Sequence, residues 1–278
     1  MSNALDAWES VAAGWERRRE LVWDVSRQVA ERLVDALDPQ PGETILELAS
    51  GPGDTGFAAA ARLGDSGRLL STDFAEGMVA AAKRRSEELG LANIEHRVID
   101  GQEIELPDAS VDGVLCRWGY MLMPDPPRAL AETSRVLRPG GRVAFSVWAD
   151  ARDNPWAAVA GRVAVELGFA EPPEPDAPGP FRLGDIAQVR ALVEAAVFAS
   201  FEIEDVALTW RYASFDEYWV TSRDLSFTLT TMLLTLDESD TERLRELTQQ
   251  ALASYTGADG SITIPGLTRN VLARKAGG

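Results

Sequence analysis

The chain has 278 residues, 45% of them hydrophobic, a formal net charge of −17, one cysteine and one histidine. This acidity argues against a nucleic-acid partner, which needs clustered Lys and Arg, and the lone Cys116 and His96 exclude an internal disulfide and a conventional catalytic metal site. No apolar run reaches the roughly 20 residues that span a bilayer, and the N-terminal residues lack a signal pattern, so we expect a cytoplasmic protein without membrane insertion.

The first half of the chain alternates helix-like and strand-like segments. Apolar residues at helical spacing from Val22 to Leu37 predict a helix that ends before Pro41-Gly42. Strict alternation of strand and helix then predicts a parallel, doubly wound α/β sheet that binds ligands at the carboxyl ends of its strands. The five predicted strands are 44–48, 68–72, 93–98, 111–116 and 142–148.

The second half is predicted to add two strands and a helical insertion. A helix is expected at 157–167, an amphipathic helix with Asp185 as N-cap at 185–197, and strands at 201–210 and 262–273. We therefore expect one domain over 1–278. Its predicted parts are N-terminal helices or a lid (1–40), a cofactor-binding core (41–210), a helical cap insertion (211–260) and the last strand (261–278).

A glycine-rich turn after the first strand is the strongest sign of a nucleotide cofactor. Gly51 and Gly53 let the backbone approach a ligand, and the helix that follows directs free N–H groups at the same place. As a bare pattern, Gly51-x-Gly53-x-x-Gly56 also fits a dinucleotide loop, which leaves an NAD-dependent oxidoreductase open. That alternative is disfavoured because no proton-donating histidine or tyrosine–lysine pair is expected at this edge.

Four motifs in order carry a family resemblance: the run from Glu47 to Gly53, Asp73 ending the second strand, Asp100-Gly101 after the third, and Arg135 to Gly141 before the fifth. With them the chain resembles class I S-adenosylmethionine-dependent methyltransferases, particularly the ubiquinone/menaquinone-biosynthesis-like branch (methyltransferase type 11). The resemblance implies a Rossmann-like fold with a seven-stranded, mostly parallel sheet, an antiparallel last strand and a helical cap. It also implies S-adenosylmethionine as cofactor, S-adenosylhomocysteine as product, and no metal.

The resemblance assigns a role to each acidic strand end. Glu47 orients the loop and the methionine amino group, Asp73 binds the ribose hydroxyls, and Asp100 reads the adenine edge. Ala49 stands where the family has its first glycine, and Gly56 has no special role in this interpretation. The predicted cofactor site comprises Trp15, Glu47, Ala49, Ser50, Gly51, Gly53, Asp73, Phe74, Met78, Asp100, Gly101, Gln102, Cys116 and Arg117.

The sequence predicts the acceptor site in less detail than the cofactor site. Arg117 and Tyr120 are candidate catalytic residues, but methyl transfer depends mainly on positioning, so a strong general base is optional. His96 is interpreted as a structural residue, and Asp125-Pro126-Pro127 as a helix start. The helical cap insertion is expected to place an apolar roof over the acceptor, and Phe227 and Met232 are expected to belong to it. The predicted substrate-binding residues are Trp118, Tyr120, Tyr212, Tyr218 and Trp219.

The predicted function is methyl transfer from S-adenosylmethionine to a small aromatic or hydrophobic acceptor. O- or C-methylation is favoured, and N-methylation stays open. Besides the oxidoreductase, a non-catalytic S-adenosylmethionine-binding protein is the second alternative. A homodimer is also left open.

Overall fold

The computed structural model describes residues 2–174 and 176–277; Met1, Pro175 and Gly278, which fall within the expected boundaries, lie outside the described residues. The described residues contain one seven-stranded sheet. Its strands are β1 (Thr44–Glu47), β2 (Arg68–Asp73), β3 (Ile94–Val98), β4 (Val111–Arg117), β5 (Leu137–Trp148), β6 (Ser200–Tyr212) and β7 (Ile262–Arg274).

The strand order is β3-β2-β1-β4-β5-β7-β6, with β7 antiparallel to both β5 and β6 and the remaining strands parallel to one another. This confirms the predicted fold class. Since β1 leads to β2 on one side and β4 lies on the other, the carboxyl end of β1 is a switch point of the sheet, where such sheets bind ligands.

Helices cover both faces of the sheet and extend over its ligand edge. Those up to β5 are α1 (Ser2–Arg17), α2 (Arg19–Leu37), α3 (Asp54–Leu63), α4 (Glu76–Glu88) and α5 (Pro126–Val136). Those after it are α6 (Pro155–Glu166), α7 (Ile186–Ala195), α8 (Phe215–Leu225), α9 (Phe227–Leu233) and α10 (Glu238–Ala251).

The apolar pattern explains which faces are buried. Ile45 and Leu46 of β1 are fully buried, as expected of a central parallel strand covered on both sides. On α2, Val29, Leu33 and Leu37 form the inner face, which packs on β5 and β7 and confirms the first predicted helix. This packing holds the central strands β1 and β4 in place, and their carboxyl ends lie at the same edge of the sheet.

Helix starts follow their local signals. The Asp125 side chain accepts a hydrogen bond from the Arg128 N–H, with Pro126 in the first turn, and Asp185 caps α7 through the Ala187 N–H. Both predicted helix starts are confirmed.

The predicted fifth strand starts too late. β5 begins at Leu137, which pairs with Val111, and the register then shifts so that Gly113 pairs with Arg142. The extra residues form a bulge in which Gly140 adopts a φ of 75°.

Helices α8, α9 and α10 all lie between β6 and β7 along the chain. Helix α8 contacts α1, and α10 contacts α6, so this insertion reaches the N-terminal helix as well as the sheet. None of the helices described is long and apolar enough to cross a membrane.

Candidate active site

The loop between β1 and α3 is held by hydrogen bonds to the end of β2. The Ser50 N–H donates to the Thr72 carbonyl (2.9 Å), and the Gly51 N–H donates to Asp73 Oδ2 (2.9 Å). Asp73 Oδ1 also accepts from the Ala75 N–H (3.1 Å), and burial raises the pKa of this carboxyl while these backbone donors oppose the rise. A carboxylate has about four acceptor positions, so Asp73 can still accept from a ligand.

Three loop residues lie in the left-handed region of the backbone: Ala49 (φ 51°), Gly51 (φ 53°) and Gly53 (φ 94°). A Cβ on Gly51 would meet no atom within 4 Å, so this backbone borders open space. A Cβ on Gly53 would instead come within 2.4 Å of the Phe57 ring. Gly51 therefore leaves room for a ligand, and Gly53 permits the first turn of α3.

Glu47 ends β1 as a buried carboxyl that is 2% exposed. Its Oε1 accepts from the Gly56 N–H (2.7 Å) and its Oε2 from the Ser71 hydroxyl (3.0 Å). Burial raises the pKa of Glu47 to about 8, although these donors and the charge of Arg117 act in the opposite direction.

Gly56 corrects the sequence interpretation, which gave it no special role. A Cβ at this position would lie 2.1 Å from Glu47 Oε2, so only glycine lets α3 approach the carboxyl this closely. The same residue supplies the N–H that Glu47 accepts.

The end of β4 brings a cation beside Glu47. Arg117 Nε donates to Thr55 Oγ1 (2.8 Å), and its guanidinium carbon lies 4.5 Å from the centre of the Trp118 ring. Its buried Nη1 has no hydrogen-bond partner among the described residues. Burial lowers the pKa of Arg117. Neighbouring Cys116 is fully buried, with its pKa raised by burial to about 12, so it is a poor base at neutral pH.

Trp118 follows in a strained backbone conformation, with φ 59°, and its Nε1 donates to Thr268 Oγ1 (2.8 Å). Strain of this kind in a bulky residue is typical of functional positions.

Tyr120 does not fit its predicted roles. Its hydroxyl is hydrogen-bonded to Thr133 Oγ1 of α5 (2.6 Å), its ring packs edge-on against Phe145 of β5, and it is fully buried. Tyr120 belongs to the interface between the sheet and α5, so we remove it as a catalytic and substrate-binding candidate. The pattern misled because a tyrosine just after a strand end can point either to the edge or into the core.

The predicted adenine side is assembled from β2, α4 and the turn after β3. Phe74 is half-buried, and Met78 packs with Ala12 of α1. Asp100 Oδ1 accepts from the Gln102 N–H (2.9 Å) and from its side-chain amide (3.2 Å), so this carboxylate also caps its own turn. Gly101 is buried there.

Helix α1 covers this edge from the N-terminal side. Trp15 is partly buried against the pair formed by Ala12 and Met78, and the Glu9 carboxylate accepts from the Gly77 N–H at the start of α4 (3.1 Å). A cleft of about 210 Å³, counted to its open mouth, separates α1 and α2 from the glycine loop. It is lined by Trp15, Arg19, Val22, Trp23, Ser26, Pro52, Asp54 and Arg117.

Of these lining residues, Arg19, Trp23 and Ser26 were missed from sequence, as was Glu9. The signal was available: positions 15, 19, 23 and 26 are spaced four, four and three residues apart, which places them on one helical face.

The predicted roof residues pack mainly against one another. Tyr212 and Tyr218 meet edge-on with ring centres 5.3 Å apart, and Trp219 stacks on Phe215. All four side chains are buried, whereas Phe227 is 37% exposed and Met232 is partly buried. A series of aromatic contacts joins this cluster to the end of β4. Its successive rings are Trp118, Trp148, Trp156, Trp210 and Tyr212.

His96 is half-buried, and its Nε2 is hydrogen-bonded to Ser86 Oγ (2.9 Å) on α4. Within residues 2–174 and 176–277, no group of three or more His, Cys, Asp or Glu side chains is arranged to hold a metal ion.

A family model described as "methyltransferase domain" matches residues 45–141, which span β1 to the start of β5 and include every buried acid described above. This stretch is a methyltransferase domain. The family model covers about a third of the chain and leaves out α1, α2 and everything beyond the start of β5.

Curated relatives agree with this assignment. The nocamycin O-methyltransferase of Saccharothrix syringae is 38% identical over 120 residues, which are 43% of either chain. The ubiquinone/menaquinone biosynthesis C-methyltransferase of Acidiphilium cryptum is 35% identical over 139 residues, 49% of this chain and 55% of that one. The chain thus spans about half the length of the curated relatives it matches.

Solved structures share the fold. A putative methyltransferase from Bacillus halodurans superposes with a TM-score of 0.60 at 17% identity, covering 89% of this chain and 98% of that chain. Together these findings show a methyltransferase domain over residues 45–141 and the predicted class I methyltransferase fold, and they offer no support for an NAD-dependent oxidoreductase.

The residues also fit the cofactor of that family. The open space beside Gly51, the buried carboxyls of Glu47 and Asp73 and the unpartnered guanidinium N–H of Arg117 all lie at one edge of the sheet. They offer acceptors for hydroxyl and amino groups and a donor for a carboxylate.

Proposed function

We propose that the protein transfers the methyl group of S-adenosylmethionine to a small aromatic or hydrophobic acceptor. The observation that carries this proposal is the joining of two strand ends by one hydrogen bond, from the Gly51 N–H to Asp73. It fixes an acidic residue beside a glycine backbone that faces open space, as a bound nucleoside requires.

Each predicted cofactor residue keeps its proposed part. Glu47, the loop from Ala49 to Gly53, Cys116 and Arg117 would hold the methionine end, and Trp15 would close over the cofactor. Asp73 would hold the ribose, and Phe74, Met78 and the turn from Asp100 to Gln102 the adenine. When bound, the cofactor would supply an electrophilic methyl group. The chain's part would be to orient it and exclude water.

The titratable groups nearest the end of β4 favour certain acceptors. Cys116 and Tyr120 are buried, and burial raises the pKa of both, so neither serves as a base near neutral pH. An acceptor that is already ionised or acidic, such as a phenol or an enol, needs no strong base, and neither does a free amine. O- or C-methylation is the first choice because it agrees with relatives whose names specify an O-methyltransferase and a C-methyltransferase.

Calorimetry with S-adenosylhomocysteine tests the proposal. We expect binding by the full chain and at least a tenfold loss in Asp73→Ala, because a charge-assisted hydrogen bond contributes about 1.5–3 kcal/mol. Turnover would then be sought with phenols, quinones and amines. Absence of binding in the wild type, or unchanged binding in Asp73→Ala, would refute it.

A further inference from the structure

The turn proposed to read adenine, residues 100–102, is hydrogen-bonded to the start of α5. The Asp125 N–H donates to the side-chain oxygen of Gln102 (2.7 Å), and the amide nitrogen of the same side chain donates to Asp100 Oδ1 (3.2 Å). The backbone N–H of Gln102 donates to that carboxylate oxygen as well (2.9 Å). The position of the Asp100 carboxylate therefore depends, through Gln102, on the position of Asp125.

The two residues before Asp125 also support this turn. A Cβ on Gly101 would lie 2.8 Å from Cε of Met123, so the methionine side chain packs closely on the turn. Met123 is extended (φ −78°, ψ 142°), as is usual for a residue before proline, and Pro124 has no backbone N–H. Neither residue belongs to a helix or a strand, so regular structure supplies no donor to their carbonyls.

A residue from the connection between α6 and α7 supplies that donor. Arg182 Nη1 donates to the carbonyls of both Met123 (2.6 Å) and Pro124 (3.0 Å). Close by, the Gly179 N–H donates to the Met121 carbonyl (3.1 Å). The connection is therefore attached at two points to the segment that follows β4.

The same connection is also anchored on the sheet, because the Arg269 side chain of β7 donates to the Gly184 carbonyl. It is thereby held between β7 and residues 121–124. Arg182 lies outside the stretch 45–141 that the methyltransferase domain model matches. It therefore links the later part of the chain to a turn that lies within the matched domain.

We infer that Arg182 is a positioning residue for adenine recognition. By holding residues 123–125, it keeps Asp100 and Gln102 directed at the adenine edge, and it acts through these residues and not on the cofactor. A guanidinium suits this part, because its planar, rigid set of donors fixes the direction of the carbonyls that it binds. The inference rests on the proposed function, which assigns the adenine to the turn 100–102.

The test compares the binding of S-adenosylhomocysteine and S-inosylhomocysteine to the full chain by calorimetry. The two compounds differ only in the base, where adenine has an amino group and hypoxanthine a carbonyl oxygen. The wild type should favour the adenine compound about tenfold or more, since the Asp100 carboxylate otherwise loses a charge-assisted hydrogen bond and faces an oxygen. Arg182→Met removes the donor but keeps an apolar stem, and it should reduce the preference to about threefold or less.

Two variants serve as controls. Arg182→Lys keeps the positive charge and N–H donors at the end of a long stem, so it should restore part of the preference. Arg162→Met makes the same exchange on the exposed face of α6, where Arg162 is paired with Glu166 (3.1 Å), and should leave the preference unchanged. Circular dichroism and thermal unfolding would check that every variant folds.

Two results would overturn the inference. One is an unchanged preference in Arg182→Met, even if both compounds bind more weakly, since Arg182 would then only support the fold. The other is a wild type that binds both compounds equally, because Asp100 would then not read the base. A wild-type chain that binds neither compound would instead refute the proposed function.

Discussion

The glycine loop and helix α1 border the same cleft but are held in place very differently. The loop is fixed by buried hydrogen bonds from Ser50, Gly51 and Gly56 to the neighbouring strand ends. Helix α1 packs on α4 and α8 through small side chains such as Ala12, and ion pairs add to this contact at its edge, Arg84–Glu16 (2.8 Å) and Arg17–Asp224 (2.7 Å). Such surface pairs contribute only about 0–1 kcal/mol each.

From this difference we propose that the loop is preformed and that α1 acts as a releasable lid. The cavity volume open to a water-sized molecule in the cleft is only about 10 Å³, far below the roughly 300–1,000 Å³ of most ligand sites. A ligand the size of a nucleoside therefore enters only if α1 moves, while the loop can remain as it is.

Gly56→Ala should have the largest effect of these substitutions, because it disrupts the hydrogen-bonded glycine loop. The new Cβ would lie 2.1 Å from Glu47 Oε2, and we expect a loss of about 2–4 kcal/mol in the free energy of unfolding, with loss of S-adenosylhomocysteine binding. Urea unfolding and calorimetry would measure both.

Gly161→Ala is the matched control, since a Cβ there meets no atom within 4 Å on α6. It should be neutral or stabilise by up to about 1 kcal/mol. Normal stability and binding in Gly56→Ala would mean that the loop is not rigid.

Glu47→Gln tests whether the buried Glu47 carboxyl makes the free energy of unfolding depend on pH. The carboxyl ionises near its ordinary value of 4.5 in the unfolded chain but near 8 in the folded one. Between those values only the folded state keeps the proton, so stability falls as pH rises, by at most about 1.4 kcal/mol per pH unit, with no further loss above about 8.

The glutamine variant does not titrate and should lack this slope, so its stability relative to the wild type should grow from pH 5 to pH 8. Urea unfolding at several pH values measures the difference. Parallel pH profiles for the two proteins would show that Glu47 ionises normally.

Gly14→Ala tests helix α1, which we expect to move away from the cleft. A Cβ on Gly14 would lie 2.1 Å from the backbone oxygen of Asp224 in α8, so the variant should displace α1 from α8 at a cost of about 1–2 kcal/mol. Hydrogen exchange should accelerate in 5–17 and stay slow in β1 and β4. Ala13→Ser, at the exposed neighbouring position, should change neither. Equal acceleration throughout the sheet would contradict an independent lid.

Ala49→Gly should have the smallest effect. Removing the Cβ relieves a left-handed conformation at φ 51°, worth about 1–2 kcal/mol, but frees the unfolded chain by about 0.4–1 kcal/mol. Net stability should rise by about 1 kcal/mol or less, with binding of S-adenosylhomocysteine retained. A marked loss in thermal unfolding experiments would show that the methyl group itself supports the loop.

Sequence reasoning succeeded where a residue's role depends on its neighbours along the chain. The strand-end acids Glu47 and Asp73, the turn at Gly51 and the helix caps Asp125 and Asp185 are all local signals, and the structure has each at the expected strand or helix end. It failed where distant segments meet. Nothing near Gly56 in sequence shows that its Cα lies against the carboxyl of Glu47.

Tyr120 and Ser26 show two opposite errors of prediction from sequence: one residue was wrongly placed at the site, and the other was missed. The sequence predicts Tyr120 at the ligand edge, yet its hydroxyl is hydrogen-bonded to Thr133 in the core. The sequence indicates no role for Ser26, yet this residue lines the cleft beside Arg117. In both cases the direction of the side chain depends on how a helix packs against the sheet, which local periodicity does not encode.

The sequence by itself determined the α/β order, the strand-end motifs and the family that they indicate, because backbone propensity and hydrophobic period act over a few residues. Only the tertiary structure decided that α1 and α2 close over the loop, that their donors converge with Arg117, and that Gly56 supports Glu47. The first two depend on packing between segments far apart in the chain and the third on how α3 turns back onto β1, and in each a difference of 1 Å separates contact from collision.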